Sequence, residues 1–335
     1  MIRTVFITAL ALLWALAASS TLHARPKHTF KIASLAPEGS VWVDSFKEFA
    51  AEVTEKTDGE IGFRIYPGGV MGDDRAMYRK MRVGQLHGGG FTMTGIADIV
   101  PDFRVMAIPF LFQSYAEVDA VSAHLQPLFE QRFAEQGLHF TAITEVGFIY
   151  TFSNEARVTI EDLRSAKTWA PDNDPLTAEF LQNLGISPIP LAIPDVLSSL
   201  QTGLIDTAFN SLYGSIVLQW YTKAPFVTDS PYGYAYGAFI MSEKVLSKLT
   251  EEQRKIIDEA AGHHFADLIL KTRESNLESR TVLTDNGVTF VQTTPEILQS
   301  LEAHRDKTIQ AELGKSFSEE IYDATQQALS AFRHK

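Results

Sequence analysis

The chain has no cysteine. That excludes disulfides, thiol nucleophiles, thiolate metal ligation and acylation at a lipobox. Basic residues are scarce: 29 Lys and Arg stand against 41 Asp and Glu, a formal net charge of -12. A nucleic-acid surface needs a basic field, so that class of function is set aside. Long apolar runs are missing except at residues 5–18, which follow Arg3 and precede small residues and Pro26. That run is too short for a membrane span and reads as a signal peptide, cleaved after Ala24. An export signal without a lipobox predicts a free periplasmic protein, not a lipoprotein. No repeat and no low-complexity tract occurs. Catalytic signatures are missing too: there is no G-x-S-x-G elbow, H-E-x-x-H pair or Walker pattern. The triplet Gly88-Gly89-Gly90 lacks the G-K-[ST] that a phosphate cradle requires, so it reads as close backbone approach to a neighbouring strand or ligand.

What is present is an alternation of strand and helix patterns. At 335 residues the chain is long enough for two lobes. Residues 28–35 read as a strand. Ser40 is an N-cap for a helix with Phe46, Phe49, Ala50 and Val53 at helical spacing. A strand at 61–66 follows, then a helix opened by Gly72-Asp73-Asp74, where acids suit the N-terminal dipole, with Met77 and Met81 inward. Further on come an apolar knot at 108–112, a helix at 115–136 and a strand at 138–145. The stretch 167–210 reads as β-α-β-α-β with very short connections, the mark of an α/β layer. Ligands in such layers bind beyond the carboxyl ends of strands, and Trp169 and Asn210 are placed near two such ends. A helix is expected at 211–221. In the strand at 232–240, Tyr232, Tyr234 and Tyr236 alternate with small residues, giving one aromatic face and one bare face. A capping box of Thr250 and Gln253 starts a helix to about residue 283, and Thr294-Pro295 and Ser318 start two more. His263 and His264, mid-helix and on different faces, make a poor metal pair and read as solvated surface. With no catalytic set and no cofactor motif, the expectation is a binding protein and not an enzyme.

Several local patterns together point to a family. They are Gly72-Asp73-Asp74-Arg75-Ala76-Met77; Ile108-Pro109-Phe110-Leu111-Phe112; Asp162-Leu163 ahead of Lys167; Leu184-Gly185 followed by Pro190; and Leu200-Gln201-Thr202-Gly203 with Asp206 and Asn210. On these the chain resembles the periplasmic solute-binding subunits of TRAP transporters, DctP type, over nearly all its mature length. The resemblance implies an α/β fold of two lobes, joined by crossing strands and braced by a long helix. Lobe one is expected at 27–146 plus 236–275 and lobe two at 147–235 plus 276–335. It also implies a ligand held in the interlobe cleft, hinge closure, and delivery to membrane partners: a small four-helix subunit and a large multi-span, sodium-driven permease.

The departures from the family pattern shape the expected chemistry. Trp169 stands where the family carries a carboxylate-binding arginine, two residues after Lys167. Ile149, between Phe148 and Tyr150, takes the place of a second arginine, and Thr92 that of an acidic contact; Asn210 and Asp73 are kept. An arginine fork offsets the burial of a carboxylate through hydrogen bonds of roughly 1.5–3 kcal/mol each; Trp and Ile do not, one indole N–H apart. The expected cleft is therefore aromatic, suited to an apolar, amphipathic or uncharged solute, or to a cation over ring faces. Tyr213, Tyr234, Tyr236, Trp42 and Asp172 complete the candidate ligand-binding set. The alternatives are a conventional organic acid bound by a rearranged clamp, in which Arg75 or Arg104 replaces the lost arginine, and a periplasmic carrier that does not serve transport.

Overall fold

The computed structural model describes residues 26–334. The expected signal peptide lies outside them. Among the described residues no helix is long and apolar enough to cross a membrane.

One mixed sheet forms the frame. Strand β1 (His28–Ser34) pairs in parallel with β2 (Ile61–Tyr66) and with β3 (Gly88–Thr92). β3 pairs antiparallel with β8 (Phe226–Ser242), which pairs antiparallel with β4 (Leu138–Ser153). β4 in turn holds β7 (Thr207–Asn210), and β9 (Thr289–Val291) adds to β8. The order is β2-β1-β3-β8-β4-β7. β4 and β8 both run well past the strands expected at 138–145 and 232–240. Register shifts between Glu145 and Gly147 and between Ile149 and Thr151 let them bend without ending.

The expected layer at 167–210 divides. β5 (Trp169–Pro171) and β6 (Ile189–Leu191) form a separate two-stranded parallel sheet, and β7 is linked to it only by an isolated bridge, Thr168–Thr207, just ahead of β5. Trp169 is thus the first residue of its strand, not near its carboxyl end, whereas Asn210 does end β7.

Helices cover both faces. Helix α1 (Val41–Lys56) starts where the Ser40 hydroxyl accepts from the Val43 N–H. α2 (Asp74–Arg82) is capped by Asp73, whose carboxylate accepts from the Ala76 N–H at 2.7 Å. α3 is Tyr115–Glu135, α4 Pro175–Asn183, α5 Ile193–Thr202 and α6 Leu212–Val217. The helix expected at 211–221 stops early because Gln219 adopts a left-handed conformation, φ 60°. α7 (Glu251–Asp285) carries the expected capping box and runs 35 residues; α8 is Pro295–Glu312 and α9 Glu319–Arg333.

Three apolar clusters result. Phe46, Phe49, Phe239 and Phe265 pack between the sheet, α1 and α7. Phe103, Phe129, Phe133 and Phe140 pack on the other face beneath α3. Phe152, Phe180, Val196 and Trp220 centre the second lobe. Each such side chain contributes on the order of 1.5–3 kcal/mol when fully buried. Ile321, Ala328 and Leu329 of α9 join the α3 cluster, and Arg333 reaches Glu117 at 2.8 Å. The last helix therefore packs on lobe one, and the expected assignment of 276–335 to lobe two is corrected for α9. Its apolar stripe matches the groove beside α3, a match that residue spacing along one helix does not reveal.

The glycine triplet does what close approach requires. A Cβ on Gly88 would stand 2.7 Å from the Ile240 carbonyl O, and one on Gly90 2.9 Å from the Phe46 ring. Gly147 is constrained twice. Its φ is 111°, and a Cβ there would meet Asn276 Nδ2 of α7 at 2.7 Å. Gly147→Ala should lower unfolding free energy by about 2 kcal/mol through backbone strain plus the collision. A urea melt checks it; an unchanged midpoint with unchanged slope would show that the bend tolerates a side chain.

Candidate functional site

A cavity of ≈ 210 Å³ opens where β4 and β8 bend. Lobe one supplies Trp42 and Phe46 from α1 and Gly90 to Thr92 from β3; lobe two supplies Trp169, Asn210 and Trp220. Glu145 and Ile149 of β4 and Tyr232, Tyr234 and Tyr236 of β8 line it between them.

Of the candidate residues, Trp42, Thr92, Ile149, Trp169, Asn210, Tyr234 and Tyr236 reach this cavity. Phe148 and Tyr150 do not line it. Side chains alternate along a strand, so both point away from the face that Ile149 presents. Phe148 packs instead on Tyr115 and Tyr234. Tyr213 is also off the lining: its hydroxyl accepts from the Val41 N–H at 3.1 Å and its ring lies against Trp42, so it ties α6 to α1 across the lobes. Asp73 and Asp172 line a smaller cleft of ≈ 40 Å³ beside the main one, together with Asp74 and Arg75.

Most of the polar groups in the wall are already engaged. The Trp169 indole N–H donates to the Leu191 carbonyl at 2.9 Å, and its ring meets Trp220 edge-on. The Trp42 indole N–H donates to the Glu145 carbonyl at 2.8 Å. The Tyr234 hydroxyl donates to Glu145 Oε2 at 2.8 Å, and that of Tyr236 to the Phe103 carbonyl. Both rings are therefore core as well as wall, at 4% and 1% exposure. The Asn210 amide oxygen accepts from the Ser211 N–H, which leaves its N–H pair free of that bond.

Among the described residues lining the main cavity there is no Lys, Arg or His; the charged ones are Glu145 and Asp174. Burial raises the Glu145 carboxyl, against Arg273 of α7, whose Nε and Nη2 donate to it at 3.0 and 2.9 Å. Burial also raises Asp174. The Thr177 hydroxyl donates to its Oδ2 at 2.5 Å, while Oδ1 is buried without a partner. Arg104 lies close enough to attract Asp174, but it is 4% exposed and outside the lining. Its Nη2 pairs with Asp98 at 3.0 Å and reaches the Asn173 carbonyl at 3.5 Å, while its Nε is unpartnered. Arg75 joins Asp98 at 2.6 Å and faces Asp172 at 3.9 Å. Glu145, Asp174, Tyr232 and Trp220 were absent from the sequence candidates. Tyr232 shares the alternation of Tyr234 and Tyr236, a signal that was available; for the other three no local pattern exists.

The family model for bacterial extracellular solute-binding protein, family 7 (DctP), matches residues 32–315. The chain belongs to this family. As a TRAP-type solute-binding protein it has close parallels in sequence and shape. The sialic acid-binding periplasmic protein SiaP of Vibrio cholerae is 26% identical over 295 residues, 84% of this chain and 89% of that one. The ectoine-binding periplasmic protein TeaA of Halomonas elongata is 25% identical over 306 residues, 88% and 84% of the two chains. The sugar acid binding protein DctPAm of Advenella mimigardefordensis, solved with galactonate, superposes with TM-score 0.86 at 19% identity, covering 92% of this chain and 99% of that one. The two-lobed α/β fold is thereby the fold of this chain. Solved relatives hold galactonate, gulonate, orotic acid and succinate. The expected hydrophobic ligand therefore finds no support among them and is weakly contradicted.

Beside the cavity of this solute-binding protein, Asp74 receives the Thr92 hydroxyl at 2.7 Å and the Thr92 N–H at 3.2 Å. Burial nevertheless pushes its carboxyl from 3.8 up to about 7, outweighing those bonds. The folded state thus keeps a proton that the unfolded chain has already released. This contribution is full below pH 3.8 and is lost as pH rises to about 7. Asp74→Asn should accordingly flatten the fall in stability across that window, measured by denaturant melts at stepped pH. Equal slopes in both proteins would show that Asp74 titrates normally.

Proposed function

We propose that this solute-binding protein captures a small solute without a free carboxylate, uncharged or positively charged, and presents it in the closed form to TRAP membrane subunits. The observation that carries this is the charge of the wall: two acids, many ring faces and no cation among the described lining residues. An anionic carboxylate buried there costs several kcal/mol with no cation in the wall to offset it. A cation over Trp or Tyr faces gains about 0.5–2 kcal/mol. The Asn210 N–H pair would fix the solute's orientation as donor, and the Thr92 hydroxyl, whose proton lies on Asp74, would serve only as an acceptor. In this proposal the lobes move about the bulge in β4 that lies between the pairs Glu145–Tyr236 and Gly147–Ala235.

A second reading has its own support. Arg104 carries an unpartnered Nε and attracts Asp174, whose Oδ1 is also unpartnered, and the solved relatives hold organic acids. In that reading a lobe movement would bring Arg104 into the cavity as a replacement clamp. Thermal melting of ligand-free protein separates the two. Neutral and quaternary-ammonium solutes are expected to raise the midpoint by several degrees, while hexonates and small dicarboxylates leave it unchanged, with Arg104→Gln behaving as wild type. Acids that raise the midpoint, and lose that effect in Arg104→Gln, would establish the second reading. Native mass spectrometry showing a stoichiometric organic acid on the purified protein would likewise overturn the first.

A further inference from the structure

Away from the cleft, α7 and α1 bring together three groups that can ligate a metal. His263 and His264 are consecutive, and on an ideal helix their side chains leave about 100° apart. The structure nevertheless brings both to one partner. His263 Nε2 lies 2.6 Å and His264 Nε2 2.8 Å from the same atom, Glu52 Oε2 of α1. The ring centroids are 4.4 Å apart. The packing of α1 on α7 supplies the convergence, since Glu52 of α1 meets both rings.

The hydrogen-bond inventory at His263 does not close with a neutral imidazole. His263 Nδ1 lies 2.9 Å from the Glu259 carbonyl O, which can only accept. Both ring nitrogens of His263 thus face oxygens that accept, and the one proton of a neutral ring serves only one of them; with it on Nδ1, Nε2 presents a lone pair to the carboxylate oxygen. Two acceptors at 2.6 Å repel, so a positive charge belongs between them. A metal ion bound to that lone pair would supply it.

We propose that Glu52, His263 and His264 form a site for a divalent transition metal of the zinc class. Two imidazole nitrogens and one carboxylate oxygen are a known donor set, with a fourth position open to water. The three donor atoms lie within 4.8 Å of one another. Bonds of about 2.0–2.2 Å in tetrahedral geometry need the rings to withdraw by less than about 1 Å. The His263 side chain is 52% exposed, which gives the ion a path in. The surroundings orient the donors. Lys56 Nζ holds the other Glu52 oxygen at 2.7 Å, and the Glu259 carbonyl fixes the tautomer of His263. A bound ion would staple α1 to α7. Because α1 also carries Trp42 and Phe46 of the cavity wall, the staple would steady one side of the cleft without touching the solute.

The test uses the mature chain, free of any histidine tag and stripped with chelator. Zinc titrated by calorimetry is expected to bind one ion per chain and to raise the melting midpoint by several degrees. Glu52→Gln and the double variant His263→Gln/His264→Gln are each expected to weaken binding at least tenfold and to lose the shift. Cobalt added to the wild type gives an independent readout, an intense visible absorption from four-coordinate N/O ligation. Absence of zinc binding at millimolar concentration, an equal zinc response in the variants, or only the pale spectrum of hydrated cobalt would overturn the site.

Discussion

The antiparallel pairing of β4 with β8 is the constraint on which the other features rest. The two strands have 16 and 17 residues, so each extends on the order of 50 Å, enough to pass from one lobe to the other. A ladder of that length cannot stay straight across two cores. It bends at its bulges, and the cavity lies in the bend. The bend is gripped from outside by α7. Arg273 neutralises Glu145, which is 1% exposed, and one turn later Asn276 donates to the Val146 carbonyl and accepts from the Tyr213 N–H. Removing either grip would leave buried polar groups without partners, and a buried unpaired carboxylate is among the costliest defects a core can hold.

That arrangement also explains how charge is distributed around the cleft. The strong cations near it are spent on protein acids: Arg273 on Glu145 and Asp119, Arg104 and Arg75 on Asp98. The turn at Asp172 to Asp174 enters the second of these networks from lobe two, through the Asn173 carbonyl and Asp172. Contacts between the lobes thus use the same side chains that a carboxylate ligand would call on. The partly exposed members of this network are worth little individually in water. The buried ones, Arg104 and Asp174, carry more weight because no solvent screens them.

Much of the architecture was legible as local chemistry. Ser40, Asp73, Thr250 and Ser318 announce helix starts because a cap is a bond between neighbours in the chain. Phe46, Phe49 and Val53 mark a buried face because helical period alone sets it. The glycine triplet announces tight approach because a missing Cβ has few other uses in a strand. Errors arose where a distant partner decides. The break at Gln219, the separation of β5 and β6 from β7, and the packing of α9 on lobe one depend on surfaces far away in sequence. In the site, strand alternation sets Phe148 and Tyr150 on the face opposite Ile149 and groups Tyr232 with Tyr234 and Tyr236.

The sequence by itself determined the order of elements, the caps, the absence of thiol chemistry and, through its scattered motifs, membership of the solute-binding family. Each rests on composition or on residues a few positions apart. Only the tertiary structure decided which aromatic rings face the cavity, that Trp169 spends its indole N–H on Leu191, and that Arg104 spends its guanidinium on Asp98. The same is true of Glu52, His263 and His264, whose rings and carboxylate meet across 211 and 212 residues of chain. The physical reason is common to all of them. A side chain's direction follows from its own backbone, but its partner is set by which surfaces the apolar clusters press together.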